Sequence, residues 1–204
     1  MPFVRFVANN ARWIAGGFLL TFFSAFGQTF FISLSAGDIR AEYGLSHGQF
    51  GGLYMLATLA SALTLPWLGR IVDRYGAARV TMIIVPLLAL GAVGMAFSVH
   101  IATLVVVIYV LRLFGQGMMT QNALTATGRW FAANRGRAVS LVTLGHNAGE
   151  ALFPFAFVAV AAALGWRNAW LAGAAILILV ALPLISILTA REREPLSDPP
   201  DTRA

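Results

Sequence analysis

Six long, mostly apolar stretches follow one another along the chain and dominate its 204 residues. A helix needs about 20 apolar residues to cross the hydrocarbon layer of a bilayer, and each stretch is long enough to do so. Because the apolar runs are continuous rather than alternating, they predict helices and exclude a membrane β-barrel. The predicted spans cover residues 13–36, 47–68, 80–99, 101–122, 138–163 and 168–190.

The composition agrees with a surface that faces lipid rather than water. Hydrophobic residues make up 59% of the chain and charged residues 11%, whereas a soluble domain carries about 25% charged residues. The formal net charge is +6, but the arginines lie between the apolar runs, where they set membrane topology, so no nucleic-acid partner is predicted. The sequence therefore predicts an all-α membrane protein, a bundle of six transmembrane helices whose first partner is the lipid bilayer.

The arginines are distributed unequally between the two ends of the predicted spans. Cytoplasmic loops of membrane proteins carry an excess of basic residues, so the distribution predicts a multi-pass protein of the cell's inner or plasma membrane with both termini in the cytoplasm. The chain then divides into a cytoplasmic amino terminus (1–12), a transmembrane domain (13–190) and a charged, proline-rich cytoplasmic tail or linker (191–204). The arginines on the predicted cytoplasmic side are Arg5, Arg12, Arg70, Arg74, Arg79, Arg129, Arg135, Arg137, Arg191, Arg193 and Arg203, against Arg40 and Arg167 outside and Arg112 within a span.

The loop between the second and third spans carries a charged motif that resembles the signature of the major facilitator superfamily. That signature has a glycine, an aspartate four residues later, a basic residue, an aromatic residue, a second glycine and further basic residues. The residues that match it are Gly69, Asp73, Arg74, Tyr75, Gly76 and Arg79, while Ala77 and Ala78 stand where basic residues are common. The resemblance implies a six-helix bundle equivalent to the amino-terminal half of the superfamily fold.

The same resemblance implies a conformational gate at the cytoplasmic face. Asp73 would cap a helix and pair with arginines there, because carboxylates are favoured at helix N-termini. The alternative is an ordinary loop that only sets topology. The implied gate residues are Gly69, Asp73, Arg74, Gly76, Arg79, Arg129, Arg135 and Arg137.

Arg112 lies in the middle of the fourth predicted span, followed one turn later by Gln116. An arginine at the centre of a bilayer costs at least about 2.5 kcal/mol, so its side chain must face a polar cavity or a partner. Two interpretations remain open: a buried pair that holds the bundle together, and a site for an anion or a proton relay.

His146 and Glu150 lie four residues apart in the fifth span and therefore share a helix face. A histidine that titrates near neutral pH beside a carboxylate would suit proton coupling, although Glu150 could simply neutralise Arg112. The superfamily's antiport motif is not supported, because Glu150 replaces the proline after Gly145 and Gly149. Other polar residues, including Gln28 and Asn122, would line a pathway or form interhelical hydrogen bonds. The predicted pathway residues are Arg112, Gln116, His146, Glu150, Gln28 and Asn122.

The resemblance implies transport of a small solute by alternating access, and not catalysis. Residues 129–131, 135–137 and 165–167 resemble the monocarboxylate and oxalate–formate branches, which implies a small organic anion. Six helices make half of the superfamily fold, so the chain would be a truncated or half-size transporter that needs a second six-helix half, or a homodimer. The alternative is a non-transporting scaffold or partner subunit. With no cysteine and no nucleotide-binding loop, and with scattered histidines, no metal site and no cofactor are predicted.

Overall fold

The structure, a computed structural model, describes residues 2–193 and is helical almost throughout, with no β-strand in that range. Six of its helical segments are long and apolar enough to cross a membrane, which confirms the predicted fold class. The spans are Phe3–Ser33, His47–Arg74, Ala77–Phe97, Ile101–Trp130, Arg135–Leu164 and Trp166–Thr189. The cytoplasmic placement of residues 1–12 stays a prediction, and residues 194–204 of the predicted tail lie outside the described residues.

The spans are assembled from eleven α-helices within residues 2–193, joined by short non-α segments. The helices are α1 Pro2–Phe23, α2 Thr29–Ser33, α3 Ala36–Tyr43, α4 His47–Leu68, α5 Arg70–Arg74, α6 Ala77–Phe97, α7 Ile101–Leu111, α8 Thr120–Trp130, α9 Arg135–Leu164, α10 Trp166–Ile176 and α11 Leu182–Thr189. A 3₁₀ segment (Ser24–Gly27) and two π-helical segments (Arg112–Met119 and Leu177–Ala181) complete them.

Three spans that the sequence predicted as regular contain a non-α segment, and that of span six is the π-helical segment Leu177–Ala181. Span one breaks at Gln28, whose backbone is extended (φ −79°, ψ 154°) between the 3₁₀ segment and α2. Span four continues from α7 through the π-helical segment, and such π segments are frequently found at functional sites. The irregular segments of spans one and four lie at the same level of the bundle.

Spans one and four cross very closely at this level because both present a glycine. A Cβ added to Gly115 would lie 2.5 Å from the Cα of Gly27, and one added to Gly27 would lie 2.1 Å from the carbonyl oxygen of Leu111. Small residues allow this kind of backbone approach between membrane helices. The crossing brings the break in span one directly against the π-helical segment of span four.

The six spans are buried to very different degrees. Spans one and three are mostly enclosed by the other helices, and α6 contributes most of its apolar residues to the core. In contrast, only 22% of the most apolar part of span two and 17% of that of span five are buried. The bundle therefore leaves broad faces of spans two and five uncovered.

Candidate functional site

An open polar pocket lies at the level of the helix breaks, between spans one, four and five. Its volume is about 330 Å³. Four of the six residues predicted to line a pathway meet in its wall, although they come from three different spans. The wall consists of Ala25, Gln28, Phe30, Gln116, Thr120, His146 and Glu150. We call this cavity the polar pocket.

The fifth span contributes the titratable groups of the polar pocket. The Nδ1 atom of His146 lies 3.3 Å from the hydroxyl oxygen of Ser24, which itself donates to the carbonyl of Thr21 at 2.7 Å. Glu150 is exposed, and among the described residues its carboxylate has no hydrogen-bond or ion-pair partner. An uncompensated carboxylate near the middle of a 30-residue span is costly in hydrocarbon, so this face has to meet water or protein.

Arg112 lies next to the polar pocket rather than in its wall. Its Nη1 donates to the carbonyl of Gly27 at 3.4 Å and to the hydroxyl of Thr29 at 3.0 Å, and its guanidinium carbon lies 5.6 Å from the centre of the Tyr54 ring. The side chain is only 8% exposed. Its Nε is buried without a hydrogen-bond partner in the part of the chain that the structure describes.

No ion pair joins Arg112 and Glu150 within residues 2–193, so the structure does not support the alternative in which Glu150 neutralises Arg112. The physical reason is the break in span one. A broken helix frees backbone carbonyls that need a donor when they are shielded from water, and Arg112 supplies one to Gly27. The cation is held by spans one and two, which leaves the carboxylate of Glu150 unengaged.

Asn122, another predicted pathway residue, lies outside the wall of the polar pocket. It is fully buried, and its Nδ2 donates to the carbonyl of Ala77 and to the hydroxyl of Thr81, each at 3.2 Å. Both acceptors belong to α6, on the side of span four away from the polar pocket. The structure thus gives Asn122 an interhelical hydrogen-bonding contact, which was the alternative interpretation of its polarity.

The predicted gate occupies one end of the bundle, where Gly69 is buried, Gly76 is half-buried and most of the charged residues are exposed. Gly69 is buried, and a Cβ added there would lie 2.6 Å from the side chain of Gln121 in span four. The remaining charged gate residues lie on the surface of the same end. These are Asp73, Arg74, Arg79, Arg135 and Arg137.

Arg129 does cross from span four to the loop, but it bonds to the backbone. Its guanidinium donates to the carbonyl oxygens of Val72 at 3.1 Å, Asp73 at 3.4 Å and Tyr75 at 3.4 Å. Within the described range, the Asp73 carboxylate itself accepts no hydrogen bond and forms no ion pair, so the expected carboxylate–arginine pair is not found. An exposed carboxylate is hydrated by water, so an ion pair with a nearby arginine would add little stability to a single bundle.

The acidic group at the start of α6 is instead Glu192, which sequence reasoning assigned to the tail. Its carboxylate accepts hydrogen bonds from the backbone N–H of Ala77 at 3.1 Å and from the indole of Trp130 at 2.6 Å. A negative charge at a helix N-terminus is stabilised by the helix dipole. The only signal available in the sequence was its position directly after the last apolar run.

Arg193 completes the same cluster and is only 8% exposed. It donates to the side-chain oxygen of Asn10 at 3.0 Å and to the carbonyl of Trp130, and its guanidinium lies 4.5 Å from the centre of the Phe131 ring. The cluster joins the ends of spans one, three, four and six. We call it the inner clamp, formed by Asn10, Ala77, Trp130, Phe131, Glu192 and Arg193.

These features define a multi-pass α-helical membrane protein, a six-helix body with a polar pocket at mid-span and arginines collected at one end. Residues 17–204 match the sequence profile of the Major Facilitator Superfamily. The chain therefore belongs to the Major Facilitator Superfamily, a family of membrane transporters, and the resemblance predicted from its loop motif is confirmed.

A similar curated protein is the probable sulfoacetate transporter SauU of Cupriavidus necator. The two sequences are 28% identical over 164 residues, which cover 80% of this chain but 38% of that relative. The chain thus spans well under half the length of the relative it matches.

Proposed function

We propose that this protein moves a small organic anion across a membrane by alternating access, with the polar pocket as the solute site. The observation that carries the proposal is Arg112, a buried cation beside the pocket with no acidic partner among the described residues. An unpaired charge within a membrane span is costly, and a bound anion would compensate it. The unpartnered Nε is a donor that a carboxylate or sulfonate oxygen can accept from.

The size and lining of the pocket support a solute of a few heavy atoms. A volume of about 330 Å³ lies at the small end of ligand pockets. Gln28, Gln116 and Thr120 offer neutral hydrogen-bonding groups that would orient such a solute. Monocarboxylates fit this chemistry, and so does sulfoacetate, the solute in the name of the relative.

A second six-helix body is part of the proposal. Spans two and five are the least buried spans, and the pocket is open. Superfamily transporters place the solute between two six-helix halves. The second body would come from further sequence or from another copy of this chain, and it would offer partners to the exposed gate charges of Asp73, Arg74 and Arg79.

The membrane placement belongs to the same proposal. The basic residues gather at the end of the bundle that holds the gate and the inner clamp, which favours a cytoplasmic location for that end. Both termini would then lie in the cytoplasm, and the membrane would be the inner or plasma membrane of the cell.

Equilibrium binding tests the proposed solute site without requiring the second body. The purified protein in detergent is titrated by calorimetry with lactate, oxalate and sulfoacetate, hereafter the anion panel. We expect at least one member to bind, and Arg112→Gln to weaken its affinity by at least about tenfold, since hydrogen bonds to charged groups contribute about 1.5–3 kcal/mol. The matched control is Arg70→Gln, an exposed arginine outside the pocket. Equal anion affinity in the wild type, Arg112→Gln and Arg70→Gln would refute the proposal that Arg112 takes part in the solute site.

A non-transporting scaffold or partner subunit is the second candidate function. It is favoured by the uncovered faces of spans two and five, which would suit association with another membrane protein. This function predicts a stable complex purified from membranes, no binding of the anion panel and no flux under any gradient.

A further inference from the structure

We propose that Thr29 is a solute-binding residue, whose hydroxyl group donates a hydrogen bond to the oxyanion of the solute beside Arg112. This inference rests on the proposed anion transport and adds a contact group to its solute site. The observation behind it is a difference in exposure. Arg112 is buried, whereas Thr29, which accepts a hydrogen bond from it, is exposed within residues 2–193. Thr29 also lies between Gln28 and Phe30, which both belong to the wall of the polar pocket.

The hydroxyl oxygen of Thr29 accepts two hydrogen bonds. The Nη1 atom of Arg112 donates to it at 3.0 Å, and the hydroxyl group of Tyr54 donates to it at 3.0 Å. A hydroxyl group has two acceptor lone pairs and one proton, so both lone pairs of Thr29 are engaged. The O–H bond has to take the remaining direction around the oxygen. Toward a solute, Thr29 can therefore act only as a donor.

The proton of Thr29 has no acceptor in the part of the chain that the structure describes. Arg112 cannot accept a hydrogen bond, because a guanidinium has donors only. Thr29 and Tyr54 carry two hydroxyl protons and share one hydrogen bond, and neither group donates to another of the described residues. One O–H group is thus left over beside the buried cation, where water or an anion can accept from it.

The nearby cation makes this donor stronger than an ordinary hydroxyl group. Hydrogen bonds in a chain polarise one another, especially where the dielectric constant is low, so a hydroxyl that accepts from a guanidinium donates more strongly. A charged acceptor strengthens the bond further. A carboxylate or sulfonate oxygen would therefore gain from the hydroxyl of Thr29 and from the charge of Arg112 behind it. The guanidinium would keep its hydrogen bond to the carbonyl of Gly27.

Calorimetry with the anion panel tests the inference. Thr29→Val keeps the branched shape of the side chain but removes the hydroxyl, so it should weaken binding of the anion by at least about tenfold. Thr29→Ala should do the same, which tests the loss of the hydroxyl a second time. The matched control is Thr29→Ser, which keeps the hydroxyl and should bind within about threefold of the wild type. Thermal unfolding verifies that each variant is folded.

A second comparison separates a direct contact from the positioning of Arg112. If Thr29 only held the guanidinium in place, Thr29→Val would have no effect once Arg112→Gln has removed it. A direct donor predicts a further loss, so the double variant should bind the anion at least about threefold more weakly than Arg112→Gln alone. Tyr54→Phe leaves Thr29 its proton, and its affinity should stay within about threefold of the wild type.

The contrary outcomes are equally specific. Wild-type affinity in Thr29→Val and Thr29→Ala would overturn the inference while leaving the proposed function intact. Equal affinity of Arg112→Gln and the double variant would overturn it as well, because Thr29 would then be a positioning residue. A tenfold loss in Tyr54→Phe with none in Thr29→Val would assign the donor to Tyr54 instead. Where the wild type binds no member of the anion panel, the proposed function fails and this inference fails with it.

Discussion

The carboxylate of Glu192 accepts a hydrogen bond from the indole of Trp130 at 2.6 Å, which ties the end of span six to the end of span four. The other carboxylate oxygen accepts from the backbone N–H of Ala77 at the start of α6. Because three spans converge on one side chain, the contact closes one end of the bundle. It also places an acidic group at the N-terminus of α6, whereas the resemblance had implied that Asp73 would cap a helix.

Removing this carboxylate should weaken the inner clamp. Glu192→Gln should lower the free energy of unfolding by about 1–3 kcal/mol, because the charge at the helix N-terminus and one charged hydrogen bond are lost. Thermal unfolding in detergent measures the change, with Glu150→Gln as the control, because this carboxylate lies in the middle of α9 and has no partner among the described residues, so its loss should not lower stability. A double-mutant cycle with Trp130→Phe should give a coupling energy of about 0.5–3 kcal/mol. Additive effects of the two changes would mean that the contact does not stabilise the fold.

The crossing of spans one and four should tolerate no side chain. Gly115→Ala places a methyl group 2.5 Å from the Cα of Gly27, and this backbone cannot give way as a flexible side chain would. We expect destabilisation by about 1–3 kcal/mol. Gly51→Ala in α4 is a matched control, since nothing lies within 4 Å of the added methyl group. That change should be neutral or stabilising by up to about 1 kcal/mol. Equal melting temperatures for the two variants would contradict the close backbone approach at Gly27 and Gly115.

Asn122 and Gln116 lie in the same span but should have separable roles. Asn122→Leu should lower stability by about 1–3 kcal/mol, because the carbonyl of Ala77 and the hydroxyl of Thr81 each lose one hydrogen-bond donor, and anion affinity should not change. Gln116→Leu, in the wall of the polar pocket, should weaken anion binding with little change in melting temperature. Calorimetry and thermal unfolding on both variants check this, and the reverse pattern would return Asn122 to the pathway.

The proposed orientation can be tested directly, because the natural sequence contains no cysteine. Gly37→Cys and Gly136→Cys introduce single thiols at exposed positions near opposite ends of the bundle. A membrane-impermeant thiol reagent should label Gly37→Cys in intact cells and Gly136→Cys only in inside-out vesicles. The opposite labelling pattern would show that the arginine-rich end faces outward.

The number of spans and the inward position of Arg112 were accessible from the sequence, because both follow from the cost of placing polar groups in hydrocarbon. The break at Gln28 was not, since hydropathy measures contact with lipid and is insensitive to a change in backbone dihedral angles. The partner of Arg112 depends on the rotation of each helix about its axis, which apolar runs do not encode.

Glu192 was missed for a different reason. Its neighbours are charged and proline-rich, a composition that predicts disorder on average. The Glu192 carboxylate and the Arg193 guanidinium nevertheless form hydrogen bonds to residues of three other spans. In contrast, the polar pocket was largely predictable. Gln28, Gln116, His146 and Glu150 are among the polar exceptions in the apolar runs, and such exceptions tend to converge where water or a solute replaces lipid.

Anion flux through proteoliposomes tests the central claim most directly. With the anion panel labelled, wild-type protein should take up at least one member faster than empty liposomes. Arg70→Gln should match the wild type, while Arg112→Gln and Gln116→Leu should lower uptake by at least about tenfold once their folding has been verified by thermal unfolding. Uptake by Arg112→Gln and Gln116→Leu equal to that of the wild type, or no wild-type uptake above empty liposomes, would contradict a pocket that carries an organic anion across the membrane.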